Sequence, residues 1–388
     1  MSRDNSYDIA VVGAGPAGSM AALHAARGGR RVCLFERKRL VGVPVRCGEG
    51  IGLKGLTASV DVDSRWILTT IKRACFVSPS AMKVCLERFD ESYIIDRVVM
   101  ENDLVKQAVT SGASYYSDTP VTAVVRDGDA GYRCVTPRGV FFARCVILAE
   151  GVESRLGRAL GWNTALELDD VESCAFCRVA HESIEGDTVY FYVGSCYAPG
   201  GFAWIFPRSC GVANVGLGIL GSCSEGGKAT EYLHKFVARM FPGGSVSEQH
   251  CGGVPVGKWM RPLVRDGVML VGDAARQVNP LSGAGIGYGM FAGRAAGEAA
   301  ARAFGGGLCD WGRLRDYERA WAAHLGKQQL RAYALKQMLL TKNNDSFYDA
   351  IAASFARKDP KKLNYMRIFF RAFARHPLML VKVFYLFR

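Results

Sequence analysis

The sequence predicts an α/β fold: a discontinuous parallel-sheet domain, an antiparallel sheet interleaved with it, and a helical C-terminal tail. Three observations carry this expectation. A strand-length apolar run, Ile9 to Val12, passes through a glycine turn into an Ala-rich segment, and a second apolar run ends at Glu36. Another apolar run enters a second glycine-rich turn at 267–287. Between these units, residues 170–256 read as one strand after another.

The first unit, Gly13-Ala14-Gly15-Pro16-Ala17-Gly18, sits between a strand and a segment of high helix propensity, Ala17 to Arg27. Gly28-Gly29 stops that segment, and Arg31 to Phe35 reads as the next strand. Each part has a physical task. Gly13 permits the tight turn, Gly15 lets a pyrophosphate approach the backbone, and Gly18 allows close helix–strand packing. The helix start offers free N–H groups to phosphates. Glu36 can accept from ribose hydroxyls and favours an unphosphorylated ribose. The unit therefore reads as a Rossmann-like dinucleotide site.

The loop Leu40 to Gly50 follows, with Arg46, Cys47, Gly48 and Glu49 close in sequence to the turn. A cation beside a thiol favours thiolate, so Arg46 is expected to lower Cys47. Segments 74–77 and 92–95 read as strands. Arg97 closes the second of them and opens a helix that runs to about residue 112. Val121 to Arg126, Tyr132 to Thr136 and Val140 to Ala149 read as a meander, the last strand apolar throughout as in a strand buried on both faces. It ends at the turn Glu150-Gly151.

In the antiparallel region, Phe202, Trp204 and Phe206 alternate along one strand and so share a face. That face suits core packing or an apolar channel. Cys174-x-x-Cys177 lacks a second pair and, on a strand, points two ways; no metal site is expected. The run Gly267 to Gly272 then leads through Asp273 into Pro280, Gly283, Gly285 and Ile286, before a helix of small residues. Asp273 is placed to hold sugar-alcohol hydroxyls. One glycine turn serves NAD; several along a longer nucleotide point to FAD.

Composition bounds the rest. The chain has 388 residues, 49% hydrophobic, with a net charge of +13. From Asp310 onward there are 16 Lys/Arg against 6 Asp/Glu, so the tail holds most of the excess. No basic–aromatic motif accompanies it, which argues against nucleic acid. No uncharged apolar run reaches the roughly 18 residues of a membrane span. Leu363, Met366, Phe369, Phe370 and Phe373 follow helical spacing with Arg367, Arg371 and Arg375 on another face, as in a helix lying on an anionic membrane. Thirteen cysteines without a framework and no signal-peptide core are expected to mean reduced thiols in the cytoplasm, peripheral to the inner membrane face.

Three blocks in this order resemble the FAD-dependent oxidoreductases of the para-hydroxybenzoate hydroxylase fold: Gly13-x-Gly15-x-x-Gly18 with Glu36, Glu150-Gly151, and Gly272-Asp273 with Pro280 to Gly287. That fold usually has Asp where this chain has Glu150. Within it, Pro44-x-x-Cys47-Gly48-Glu49-Gly50 and Pro199-x-x-Phe202-x-Trp204-x-Phe206-Pro207 resemble the archaeal type of the geranylgeranyl reductase family, with Phe202 in a position usually held by Tyr. The resemblance spans roughly residues 5–300.

It implies that reduced flavin saturates isolated double bonds of an isoprenoid lipid or a polyprenyl quinone. Cys47 and Glu49 are implied as catalytic, and Phe202, Trp204 and Phe206 as substrate-binding. The implied cofactor contacts are Gly13, Ala14, Gly15, Pro16, Ala17, Gly18, Glu36, Arg37, Arg46, Cys47, Gly48, Arg97, Val121, Glu150, Gly151, Gly272, Asp273, Pro280, Gly283, Gly285 and Ile286. The FAD domain is expected over 1–75, 97–165 and 260–305, the substrate sheet over 76–96 and 166–259, and a basic helical region over 306–388. Electrons are expected from NAD(P)H or a ferredoxin-type protein. Competing readings are a flavin monooxygenase of the same fold, a halogenase through a partial WxWxIP likeness, and a membrane-recruited flavoprotein without turnover.

Overall fold

The computed structural model describes residues 5–87, 91–128, 130–305, 308–340 and 345–355. The chain opens with β1 (Ser6–Val12), turns into α1 (Pro16–Arg27) and returns as β2 (Val32–Phe35). A first group of short elements follows: β3 (Gly50–Gly52), α2 (Leu53–Thr57), β4 (Ile67–Ile71), β5 (Arg73–Val77), β6 (Lys83–Leu86) and β7 (Ser92–Ile95). Next come α3 (Arg97–Thr110), β8 (Ser114–Tyr116), the meander β9 (Ala123–Arg126), β10 (Tyr132–Thr136) and β11 (Gly139–Leu148), and α4 (Arg155–Ala159). The second half runs β12 (Val171–Ala180), β13 (Thr188–Val193), β14 (Phe202–Ser209), β15 (Val212–Leu220), α5 (Ala229–Met240) and β16 (Ser245–Pro255). The hairpin β17 (Val264–Arg265) and β18 (Val268–Leu270) leads to α6 (Ile286–Arg302), α7 (Arg315–Trp321), α8 (Lys327–Leu340) and α9 (Asp345–Phe355).

The first sheet has the order β17-β18-β11-β1-β2-β8. Strands β18, β11, β1, β2 and β8 run parallel, and β10 and β9 extend β11 antiparallel. Strand order reverses between β1 and β11, which is where open α/β sheets leave a ligand crevice beyond the strand ends. Val11, Val12, Ile147 and Leu148 are buried there, as a strand covered on both faces requires. Helices α1 and α6 lie side by side. A Cβ on Gly293 would stand 1.9 Å from the Ala17 carbonyl oxygen, and one on Gly297 2.3 Å from that of Ala21. Small residues every fourth position therefore set the spacing of the two helices, and both start at the same end of the sheet.

The second sheet has the order β16-β12-β15-β14-β13-β5-β6 and is antiparallel except for the β13–β5 pair. One face packs on α5: Ala175, Cys177, Val179, Ile205 and Val215 meet Leu233, Phe236 and Val237. Side chains alternate, so Cys174, Phe176, Trp204 and Phe206 face the other way. The expected α/β architecture with an interleaved antiparallel sheet is what is found. Strand β5 crosses residue 75, where the first segment was taken to end, and β7 pairs with β3 and β4 in a separate small sheet. One partner of β5, strand β13, is more than a hundred residues away, and no local pattern announces it.

Two details correct the reading from sequence. The expectation of reduced thiols throughout fails at Cys75 and Cys85, which form a disulfide. They stand opposite each other in the β5–β6 ladder with Cα atoms 4.1 Å apart. In the tail, Tyr317 and Trp321 are fully buried, so α7 belongs to the core of the first domain. The basic segment at 363–388 lies outside the described residues. Among the described residues no helix is long and apolar enough to cross a membrane.

Candidate active site

The cofactor cradle forms where β1 and β11 part. Gly13 has φ +101°, and a Cβ there would meet the Ala149 carbonyl oxygen at 2.3 Å. A Cβ on Gly18 would lie 1.8 Å from the Gly13 oxygen, so helix and turn touch backbone to backbone. Gly15 faces open space, with nothing within 4 Å of that position. An open backbone at the start of α1 is what a pyrophosphate needs. The buried Glu36 carboxylate accepts from the Ala14 N–H at 2.9 Å and the Lys38 N–H at 3.0 Å, which aims it at the turn. Its remaining lone pairs can take ribose hydroxyls.

The second turn meets the first. The position of a Cβ on Gly272 (φ +66°) is 2.9 Å from the Ala17 Cβ. Asp273 follows, half-buried, its carboxyl pushed up by burial and held back by Arg97. Pro280 is buried, Gly283 takes φ +64°, and Gly285 precedes Ile286 at the start of α6. Two helix N-termini thus stand together, and a long nucleotide has donors along its length. The cradle, its aimed carboxylate and this second turn fit FAD. Arg37 lies at the edge and pairs with Glu153 at 3.4 Å; Val121 is half-exposed. Gly151 has φ +77°. The Glu150 carboxylate accepts from the N–H groups of Leu156 and Gly157 at 2.9 and 2.8 Å, capping α4. Any cofactor contact at position 150 therefore falls to its backbone.

The Cys47 loop is anchored through Glu49. This residue is 1% exposed, with φ +65°. One carboxylate oxygen takes the Arg208 guanidinium and the Asn214 amide at 2.8 Å; the other takes the Arg97 N–H at 3.0 Å. A carboxylate with these donors is a poor proton source and is held in place by them. The Glu49 N–H in turn donates to Cys47 Sγ at 3.2 Å. The expected thiolate is corrected. Burial raises the Cys47 thiol, and the cation that opposes it is Arg97 rather than the exposed Arg46. Arg97 begins α3 because Asp96 caps that helix, accepting from the Val99 N–H at 3.0 Å. Its guanidinium pairs with Glu101.

The aromatic face lies directly on this loop. Ring centroids of Phe202 and Trp204 are 6.0 Å apart, and those of Trp204 and Phe206 6.1 Å. Phe191 from β13 adds a fourth ring, 5.5 Å from Phe206. A Cβ on Gly48 would stand 3.0 Å from both Trp204 Nε1 and Phe206 Cδ2, and one on Gly50 3.0 Å from Phe206 Cε2. Only glycines let the loop approach the rings this closely. Arg208 continues the period-two register of 202, 204 and 206, so its face was readable from the sequence. Asn214 stands opposite Phe206 across β14 and β15, which only the pairing reveals.

Comparison with known proteins agrees. A model described as "geranylgeranyl reductase catalytic domain" matches residues 170–254, and one for FAD dependent oxidoreductases matches 8–43. The chain is 36% identical over 389 residues to a digeranylgeranylglycerophospholipid reductase of Methanoculleus marisnigri, covering 98% of each. A protein of that name from Methanosarcina mazei is 38% identical, covering 92% of this chain and 90% of its own. Among solved structures, a geranylgeranyl bacteriochlorophyll reductase-like protein from Thermoplasma acidophilum superposes with TM-score 0.89 at 29% identity, over 98% of this chain and 99% of that one. A flavin-dependent brominase, at TM-score 0.68 and 19% identity over 96% of this chain and all of its own, shares the fold alone. The chain belongs to the geranylgeranyl reductase family of FAD-dependent oxidoreductases, which act on carbon–carbon double bonds.

Proposed function

We propose that the chain saturates isolated double bonds in the geranylgeranyl chains of an archaeal-type glycerophospholipid, the substrate class in the names of its relatives. The observation that carries this is the contact of Gly48 and Gly50 with Trp204 and Phe206. It brings the thiol-bearing loop into direct contact with the apolar aromatic face. Reduced FAD supplies a hydride when bound. An isolated alkene has no electron sink, so a proton must reach the less substituted carbon as tertiary cation character develops on the other.

The chain's own residues serve that step. Phe191, Phe202, Trp204 and Phe206 exclude water and present ring faces to developing positive charge. Glu49, Arg208 and Asn214 lock the loop, so the Cys47 loop is held against the aromatic face rather than left as a mobile turn. Cys47 stays a thiol and orients the alkene or an ordered water. Asp273 and Glu36 hold the cofactor's hydroxyls. Electrons enter from NAD(P)H or a ferredoxin-type protein, and the basic tail holds the enzyme at a membrane surface where the lipid resides.

The test is anaerobic. Dithionite-reduced, FAD-loaded protein is mixed with digeranylgeranylglycerophospholipid or with a polyprenyl quinone, and products are read by mass spectrometry. Hydrogen uptake by the lipid without oxygen supports the reading. Turnover that requires oxygen would show a monooxygenase instead.

A further inference from the structure

One buried carboxyl beside the aromatic face makes none of the contacts described so far. Glu172 is 6% exposed, on β12. It shares the register of Cys174 and Phe176, the face turned away from α5. Gly218 makes its room: the Glu172 Oε2 lies 2.7 Å from where a Gly218 Cβ would stand. Gly218 is opposite Phe202 on one side and Cys174 on the other. The carboxyl therefore sits beside the first ring of the aromatic face.

The charged and titratable groups around it are few. Cys174 is on the same strand, and both Cys251 of β16 and Cys47 act on that thiol. From α8 comes Lys336, 5% exposed, whose Nζ donates to the Asp169 and Val256 carbonyls at 2.6 and 2.7 Å and lies 3.9 Å from Asp170. Its charge is the one that favours the ionised form of Glu172. A carboxyl in this setting can be kept protonated by its apolar surroundings and still leave a stabilised anion behind.

We infer that Glu172 is the proton donor of alkene saturation, delivering at the Phe202 end of the aromatic face. This rests on the reading under Proposed function. The O–H bond of Glu172 breaks as the C–H bond forms, and the hydride that the reductase activity supplies completes the pair on the neighbouring carbon. Glu172 is left as a carboxylate beside the Lys336 ammonium and regains its proton from water. Burial pushes this carboxyl up to about 7, against a smaller opposing pull from Lys336. Glu49, by contrast, is committed to three donors.

The experiment compares wild type, Glu172→Gln and Lys336→Met as FAD-loaded full-length chains. Single-turnover lipid reduction is followed across pH. Infrared difference spectra record the protonated carboxyl band in the same proteins. Wild type is expected to lose rate as pH rises through about 7, with the carboxyl band titrating in step. E172Q is expected to be at least about a hundredfold slower, without that limb or band. K336M removes the stabilising cation and is expected to move both to higher pH. A reducing wild type with no such band, or an E172Q variant that keeps rate and limb, overturns the assignment while leaving the reductase reading intact. Where E172Q fails to fold, the K336M shift of band and limb decides the matter, because Lys336 acts on Glu172 and the raised Asp273 carboxyl answers to Arg97 instead. A wild type that leaves the lipid unreduced overturns both.

Discussion

The two sheets of this molecule solve different problems with the same small residue. In the parallel sheet, glycines at 13, 18, 293 and 297 bring backbone against backbone, and a side chain at any of them would collide with a carbonyl oxygen. In the antiparallel sheet, glycines at 216 and 218, with 48 and 50 from the facing loop, make room for side chains: Glu172, Trp204 and Phe206. The first arrangement makes a rigid cradle whose shape is independent of sequence outside the motif. The second sets side chains against one another, and its chemistry depends on which side chains they are.

The largest contrast is expected from Gly18→Val against Gly15→Ala. The first places carbon within 1.8 Å of the Gly13 oxygen, so soluble, flavin-bearing protein is not expected at all. The second meets nothing in the protein and should fold while losing FAD, read as flavin absorbance after purification. Next comes Glu49→Gln, which takes from the Arg208 guanidinium, 15% exposed, its buried carboxylate and leaves it only Asp96 at 3.8 Å. A loss of about 3–5 kcal/mol in urea unfolding is expected, the range for breaking a buried pair from one side.

Glu172 gives a pH-dependent effect of similar size. Its carboxyl is raised in the folded state, so the folded protein holds this proton more tightly than the unfolded chain. Stability from this group is full below the ordinary carboxyl range and falls as pH rises from about 4.5 toward about 7, by up to about 3 kcal/mol. The urea midpoint of wild type, less that of E172Q, should decline over that window. A flat difference would contradict a buried, raised carboxyl. Cys47→Ala is expected to slow single-turnover reduction about a hundredfold with FAD binding unchanged; an unchanged rate removes the thiol from the mechanism. The smallest effect is Trp204→Phe. It keeps a ring and removes an indole N–H that has no hydrogen-bond partner among the described residues, so stability should barely move. Weaker cation stabilisation should cost about tenfold in rate or less.

The same contrast explains how much was legible beforehand. The cradle is local: strand, turn, helix and acid fall within residues 9–36, and each has a spacing rule. The aromatic face was also local, because Phe202, Trp204 and Phe206 follow one strand's alternation. Asn214, Phe191 and Glu172 reach the aromatic face only through strand pairing across sequence gaps, and the Cys75–Cys85 disulfide through the register of a short hairpin. Cys47 shows the limit of neighbour arguments. Arg46 is adjacent in sequence yet exposed, whereas Arg97, fifty residues on, is the cation that acts on the thiol.

Loop and aromatic face together are proposed to hold the isoprenoid chain for saturation. Anaerobic mass spectrometry of digeranylgeranylglycerophospholipid after mixing with the dithionite-reduced, FAD-loaded protein tests it most directly. The expected result is a gain of one hydrogen pair per saturated double bond, together with reoxidation of the flavin. Lipid recovered unchanged, with the flavin still reduced, would contradict it.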